Sequence, residues 1–358
     1  MPKIDSMSRK IFVERFKENV DNNTLVFLSH GADYRLGLSN FIVKEQWINE
    51  ISPNPTIENI SKACVKLDGT IEKIIAIGGG STIDTAKAII ASFGMFSGDC
   101  SIIDIIENKL YLNNNLRVKK FIAVPTTSGT GSEVTQWATV WDDHRKLKFS
   151  VDAEWLMPTD VWLVPELTMS LSTRQTLSTG LDAFVQACEA YWARRSDSLA
   201  RALAVQAVTV IHEYLPLALK DGQDPKAREG MQTGSLLAGL AFSRTGTTAC
   251  HSISYPITAL FGVEHGFAVA LTLVQVIERN IAVVDCGKLL NAVGSPEYLH
   301  NWLDTLCADI QPLRLSAFGI LTEDIPLIAK RAFTTGRMDN NPVIFSEADV
   351  TDILSEVI

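Results

Sequence analysis

Asp182 and Gln186 stand four residues apart in the apolar stretch Gly180-Leu181-Asp182-Ala183-Phe184-Val185-Gln186, so on a helix they share one face. A lone carboxylate on a face turned into an apolar helical domain is costly, and a bound cation would offset that cost. Two histidines follow, His251 and His265, on either side of Ser252-Ile253-Ser254-Tyr255-Pro256. Two imidazoles with a carboxylate suit a borderline divalent ion such as Fe2+ or Zn2+. Taken alone, each histidine is more often a hydrogen-bonded structural residue. The metal reading rests on the set.

Two loops carry a different chemistry. Ile77-Gly78-Gly79-Gly80-Ser81-Thr82-Ile83-Asp84 follows a strand-like run and opens a helix-like one. Its glycines let the backbone approach a ligand closely. Ser81 or Thr82 can cap the helix, and the free N–H groups there favour a phosphate. The pattern is neither the G-x-G-x-x-G fingerprint nor a Walker A loop, and a tight turn that binds nothing would also look like this. Val124-Pro125-Thr126-Thr127-Ser128-Gly129-Thr130-Gly131-Ser132-Glu133-Val134-Thr135 is dense in hydroxyls. It can wrap phosphate, ribose or a nicotinamide amide, or else be a solvent-facing loop with local capping bonds. Both loops end strands of one parallel sheet, so they are expected at its carboxyl edge, where open α/β sheets bind ligands.

The elements that must hold these residues divide the chain. Four continuous apolar runs, 25–28, 73–77, 121–124 and 161–164, predict strands buried on both faces, with helical stretches such as 82–92 between them. Beyond about residue 170 strand signals nearly vanish, and 199–219, 230–242 and 267–280 have helical spacing. The expected domains are 1–168, α/β and nucleotide-binding, and 169–358, all-α and metal- and substrate-binding, closely packed around a shared cleft. A chain of 358 residues is long enough for two such cores. The net charge of −9 argues against nucleic acid as a partner, and no apolar run reaches the length of a membrane span. The N-terminus lacks a signal-peptide layout. The six cysteines, Cys64, Cys100, Cys188, Cys250, Cys286 and Cys307, form no CxxC pair and are expected reduced, in the cytoplasm.

The motifs resemble those of a known family. Gly78-Gly79-Gly80-Ser81-Thr82-Ile83-Asp84-Thr85-Ala86-Lys87 is similar to the GGGSxxDxAK segment of the iron-containing (group III) alcohol dehydrogenases, and the stretch from Pro125 to Thr135 resembles their PTTxGTGSEVT. Gly180-Leu181-Asp182-Ala183 resembles the start of the family's metal helix. His251, His265-Gly266, Asn341-Pro342 and a closing helix over 349–357 resemble its later landmarks, so the likeness spans nearly the whole chain. It implies a dehydroquinate-synthase-like fold, with NADH or NADPH on the α/β domain and a divalent metal, Fe2+ or Zn2+, on the helical one. The pyrophosphate would sit on Gly79, Gly80 and Ser81. Asp84, Thr126, Thr127 and Thr130 would flank the cofactor, with Lys148 near its nicotinamide end. Asp182, Gln186, His251 and His265 would hold the metal. The resemblance also implies a homo-oligomer, such as a dimer.

Three positions depart from the family. Gln186 and Tyr255 replace histidines, the first a ligand and the second placed to pass protons. His30, at the end of the first strand, stands where NAD-preferring members often carry an aspartate that repels a 2′-phosphate, so NADPH is acceptable. Trp137-Ala138-Thr139-Val140-Trp141-Asp142 and His251-Ser252-Ile253-Ser254-Tyr255-Pro256-Ile257-Thr258 resemble the phosphonoacetaldehyde reductase branch, in which tyrosine commonly takes the place of the second histidine. The implied reaction is reduction of phosphonoacetaldehyde to 2-hydroxyethylphosphonate, with Tyr255 assisting protonation. A dianionic substrate needs cationic and hydroxyl donors, for which Arg244 and Thr247, with Phe242, are the candidates; a salt bridge is the alternative for Arg244. Rival readings are a dehydrogenase of a simple alcohol or aldehyde, a dehydroquinate-synthase-like cyclase, and a non-catalytic nucleotide-binding relative.

Overall fold

The structure is a computed structural model and describes residues 1–51, 55–64, 70–92, 95, 101–113, 118–142, 144–145 and 147–358. These residues form two compact units, 1–127 with 132–168, and 128–131 with 169–358.

The first unit is built on a parallel sheet of six strands. These are β1 (Lys3–Ser6), β2 (Thr24–Leu28), β3 (Trp47–Ile48), β4 (Lys73–Gly78), β5 (Lys120–Pro125) and β8 (Asp160–Leu163), in the order β1-β8-β5-β4-β2-β3. The four apolar runs are the four inner strands. Alternate residues serve opposite cores: Leu25, Phe27, Ile74, Ala76, Phe121 and Ala123 face one, while Val26, Leu28, Ile75, Ile77, Ile122 and Val124 face the other. A strand covered on both faces has no polar side to show, which is why these runs are continuous. Helices α1 (Arg9–Asn19), α2 (His30–Leu36), α3 (Ile57–Cys64), α4 (Gly80–Ser92) and α5 (Ile102–Glu107) belong to this unit.

Short strands escaped the sequence reading. β1 carries only four residues and β3 two. The antiparallel hairpin β6 (Trp137–Asp142) and β7 (Leu147–Asp152) lies outside the main sheet. β6 buries every second residue, Ala138, Val140 and Asp142, so it lacks the continuous apolar run of the inner strands.

The second unit is helical, with no strand among its described residues. It comprises α6 (Thr173–Trp192), α7 (Ser198–Lys220), α8 (Pro225–Thr245), α9 (Ala249–Phe261), α10 (His265–Ala270), α11 (Leu273–Asn280), α12 (Gly287–Val293), α13 (Pro296–Cys307), α14 (Ile325–Arg331) and α15 (Glu347–Ser355). The helix expected over 267–280 is two, parted at Leu271-Thr272, where Thr272 leaves helical geometry at φ −107°, ψ 5°. Contrary to expectation, one segment, α7, is long and apolar enough by length and composition to cross a membrane. Here it packs on α6 and α8 and buries a stripe of Ala200, Ala204, Ala207, Val208, Ile211 and Leu215, the pattern of an amphipathic helix with one face inward. Cys64, Cys188, Cys250, Cys286 and Cys307 are buried and unpaired; Cys100 lies outside the described residues.

Candidate active site

α6 starts with a reciprocal capping box between Ser172 and Gln175, and its second half is buried on all sides. Asp182 and Gln186 occupy one face of that buried half, 4% exposed each. His251 is the third residue of α9. That helix ends at Gly262, whose left-handed φ of 68° lets its N–H bond back to Thr258, and three residues later α10 begins with His265. The reversal returns the second imidazole to the first: the rings lie 5.4 Å apart, centroid to centroid.

Three of the four expected ligands, Asp182, His251 and His265, come together. One ligand atom each from Asp182, His251 and His265 lies within 4.8 Å of the others. Asp182 Oδ1 is 3.4 Å from His251 Nε2 and 3.9 Å from His265 Nε2. Ligands at about 2.0–2.2 Å from a shared tetrahedral ion stand roughly 3.4 Å apart, so little movement is needed to close on one. Gln186 donates its amide N–H to Asp182 Oδ1 at 3.0 Å. A carboxylate only accepts, so the amide is oriented, and its Oε1 is left buried without a partner. His251 Nε2 is likewise buried, with Asp182 Oδ1 in front of it. A buried amide oxygen without a partner and an imidazole nitrogen facing a buried carboxylate are a donor set that fits a cation. Tyr255, one turn after His251, stacks on the His265 ring at 6.2 Å and 15°.

The residue that sequence reasoning missed is Glu189. It is fully buried and follows Asp182 by seven residues, two helical turns along the same face of α6. Oε2 accepts a hydrogen bond from His251 Nδ1–H at 2.5 Å. Oε1 accepts from Thr248 Oγ1 at 2.9 Å, Cys250 N at 2.7 Å and His251 N at 3.3 Å. A carboxylate that fixes the far nitrogen of an imidazole presents Nε2 to a metal and raises its basicity. The 182/186/189 spacing was the available signal.

Electrostatics agree. Burial pushes the His251 pKa down, but Glu189 and Asp182 outweigh it and raise it to about 10. Burial pushes Glu189 up; the imidazolium and its hydrogen bonds more than reverse this and lower it. The two carboxylates demand positive charge at this point, and a proton supplies it when no metal does. A cation must displace that proton. Its apparent affinity should therefore climb about tenfold per pH unit above the ordinary histidine value of 6.5 and level off near 10. The metal-free fold carries the opposite dependence: the proton is held in the folded chain and absent from the unfolded one across that window, so stability falls as pH rises through it. Metal titrations at several pH values check this, and Glu189→Gln should lower affinity by about 10- to 100-fold.

In the α/β unit the register pairs Gly78 with Pro125, so the glycine turn and the start of the hydroxyl loop emerge side by side. Thr126 donates its N–H to the Gly78 carbonyl at 3.0 Å, and a Cβ on Gly79 would lie 3.1 Å from Thr127. Several expectations need correction here. α4 begins at Gly80, and the N–H groups of Thr82 and Ile83 bond back to Gly79 O. Ser81 and Thr82 therefore lie inside the first turn and do not cap it. His30 does not end the strand; it opens α2, exposed, behind Ser29, whose hydroxyl caps that helix. Asp84 has both carboxylate oxygens engaged within the protein, by the Ser132 hydroxyl and by the Thr139 N–H at 2.9 Å. Burial raises its pKa, against the pull of Lys87. Lys148 sits on β7 with its ammonium 5.8 Å from the Trp141 ring. Thr130 is half-buried in the hydroxyl loop.

Of the substrate candidates, Phe242 and Thr247 are buried near the end of α8. Arg244 is exposed and bound to Asp197 at 2.6 Å, so its charge is already answered by a carboxylate.

Comparison with known proteins follows the same division. The iron-containing alcohol dehydrogenase family model matches residues 30–164, and that of the C-terminal part of the Fe-containing alcohol dehydrogenase family matches 176–358. The NAD-dependent methanol dehydrogenase of Bacillus methanolicus is 31% identical over 302 residues, 80% of this chain and 77% of that one. Choline dehydrogenase of Bacillus subtilis is 30% identical over 308 residues, 82% and 76% of the two chains. The crystal structure of sulfoacetaldehyde reductase from Bifidobacterium kashiwanohense in complex with NAD+ has the same fold: TM-score 0.84 at 23% identity, covering 99% of this chain and 96% of that one.

Proposed function

Because this chain belongs to the iron-containing alcohol dehydrogenase family, we propose that it is a metal-dependent, NAD(P)H-linked reductase of a small aldehyde, and that the aldehyde is phosphonoacetaldehyde, giving 2-hydroxyethylphosphonate. The observation that carries the enzymatic reading is the convergence of Asp182, His251 and His265 within 4.8 Å, with Glu189 behind His251. These residues would hold Fe2+ or Zn2+, and Gln186 Oε1 is free to join them. When bound, the cation supplies Lewis acidity toward the carbonyl oxygen, and the dinucleotide supplies the hydride.

The protein's own share is orientation and proton handling. Glu189 fixes the His251 tautomer, so that Nε2 faces Asp182 as a free donor of its lone pair. Tyr255, stacked on His265, returns a proton to the product oxygen through water. Gly79, Gly80 and Ser81 offer backbone N–H groups to the pyrophosphate, and Thr126, Thr127 and Thr130 line its course. His30, exposed at the start of α2, poses no negative charge to a 2′-phosphate, so NADPH is accepted as well as NADH. The reading also takes the enzyme as a cytoplasmic homodimer. The buried, unpaired cysteines support that compartment.

The anionic substrate rests on the Trp137–Asp142 and His251–Thr258 resemblances and on Tyr255. One observation favours a second reading, reduction of an uncharged short-chain aldehyde: Arg244 is paired with Asp197. Oxidation of NADH and NADPH with phosphonoacetaldehyde, propanal and acetaldehyde decides between them. The expected result is a kcat/KM for phosphonoacetaldehyde at least about 100-fold above the others, the discrimination a charged group in a matched site gives. Equal rates overturn the phosphonate reading, and no turnover of any aldehyde with metal present overturns the reductase.

A further inference from the structure

Lys87 is fully buried, yet no step above uses it. It lies one turn beyond Asp84 on α4, the helix that follows the glycine turn. Its ammonium reaches the carbonyl oxygens of Ser132 at 2.6 Å and Trp137 at 2.8 Å, and the hydroxyls of Ser132 and Thr135 at 3.2 Å each. Asp84 grips the same segment from the adjacent position: it accepts from the Ser132 hydroxyl and from Thr139 N–H. The near end of the hydroxyl loop is pinned too, by the Thr126 N–H on Gly78 and by the close approach of Thr127 to Gly79.

We infer that Lys87, with Asp84, is a positioning residue for the dinucleotide: it locks the far end of the hydroxyl loop onto the helix whose first turn would receive the pyrophosphate, so that both loops form one preset cradle. The inference rests on the dinucleotide reading of those loops. Three features carry it. One buried ammonium with several donors ties the Ser132 carbonyl of the loop to the Trp137 carbonyl at the start of β6, so the loop's far end is held at two points together. Burying an ammonium is expensive, and holding the loop loosely would not require one; a fully satisfied buried polar network instead fixes a single geometry. The charges also balance: burial draws the Lys87 pKa down to about 8 against the pull of Asp84 and Glu133, and its positive charge offsets a carboxylate lying just behind an anion-binding helix start.

Lys87→Met in the metal-loaded enzyme keeps the side chain's length and removes its donors. Dissociation constants for NADH and NADPH, read from nicotinamide fluorescence, and KM for either should rise about 10- to 100-fold, the scale on which slight misplacement of a binding group acts. The kcat should stay within about threefold and metal per chain should not change. Unchanged dinucleotide affinity in folded Lys87→Met overturns the inference, as does parallel loss of kcat and metal. Should that variant fail to fold, Ser132→Ala decides: it deletes the hydroxyl shared by Lys87 and Asp84, and should weaken dinucleotide binding about three- to tenfold; wild-type affinity overturns the inference. Wild-type protein that binds neither dinucleotide overturns the underlying reading and this inference with it. Wild-type binding with unaltered variants overturns the inference alone.

Discussion

Asp182→Ala should empty the metal centre and reduce aldehyde turnover by roughly a thousandfold or more, since the Lewis acid's contribution of several kcal/mol is lost outright. The carboxylate is the common neighbour of both imidazoles, 3.4 and 3.9 Å away, and also accepts from Gln186. Metal analysis of protein purified without chelator should fall from about one ion per chain to background. Added Fe2+ or Zn2+ should stabilise the wild type against heat, by about 2.7 kcal/mol at a hundred times its dissociation constant, and leave the variant's unfolding unmoved. Retained stoichiometric metal in Asp182→Ala would refute the assignment of the centre.

The second large effect is steric. Gly266 follows His265, and a Cβ there would lie 1.8 Å from the Ser178 carbonyl oxygen and 2.5 Å from its carbon. That obstacle is backbone of α6, four residues before Asp182, and cannot swing aside. Gly266→Ala should therefore cost about 3 kcal/mol or more, the upper end of overpacking. It should also drive the start of α10 from α6, pulling His265 off Asp182. Thermal unfolding and metal titration measured together should both deteriorate. Gly262→Ala is the control: nothing lies within 4 Å of its Cβ position, so only its left-handed φ of 68° is penalised, by about 1–2 kcal/mol.

What the sequence made legible followed physical rules that act locally. β2, β4, β5 and β8 announced themselves because burial on both faces leaves no polar position. Asp182, Gln186, His251 and His265 were legible as chemistry as a set, a costly carboxylate in an apolar stretch followed by two imidazoles and matched to a family's motifs. β1 and β3 were not, being too short for any period to register. Neither was Glu189, a single acid in a helix, whose meaning depends on a histidine 62 residues away. Asp84 is a different case. The family resemblance implies a place flanking the cofactor, but only tertiary structure reveals that Ser132 and Thr139 engage both its oxygens. For Arg244 the sequence left a substrate cation and a salt bridge both open, and only the fold brings in its partner Asp197, distant in sequence.

The place of β1 has a consequence for how the molecule is made. Residues 3–6 pair in parallel with 160–163 and, among the described residues, with no other strand, Ile4 lying opposite Val161. Once made, β1 must therefore wait for about 160 residues more, roughly ten to thirty seconds of translation. Closing so long a loop is slow, though its entropic cost grows only with the logarithm of its length. Until then the far side of β8's position stands open, and β5 is an unprotected sheet edge on the nascent chain. Chaperone occupancy should be greatest over that interval and fall once residue 163 has cleared the exit tunnel.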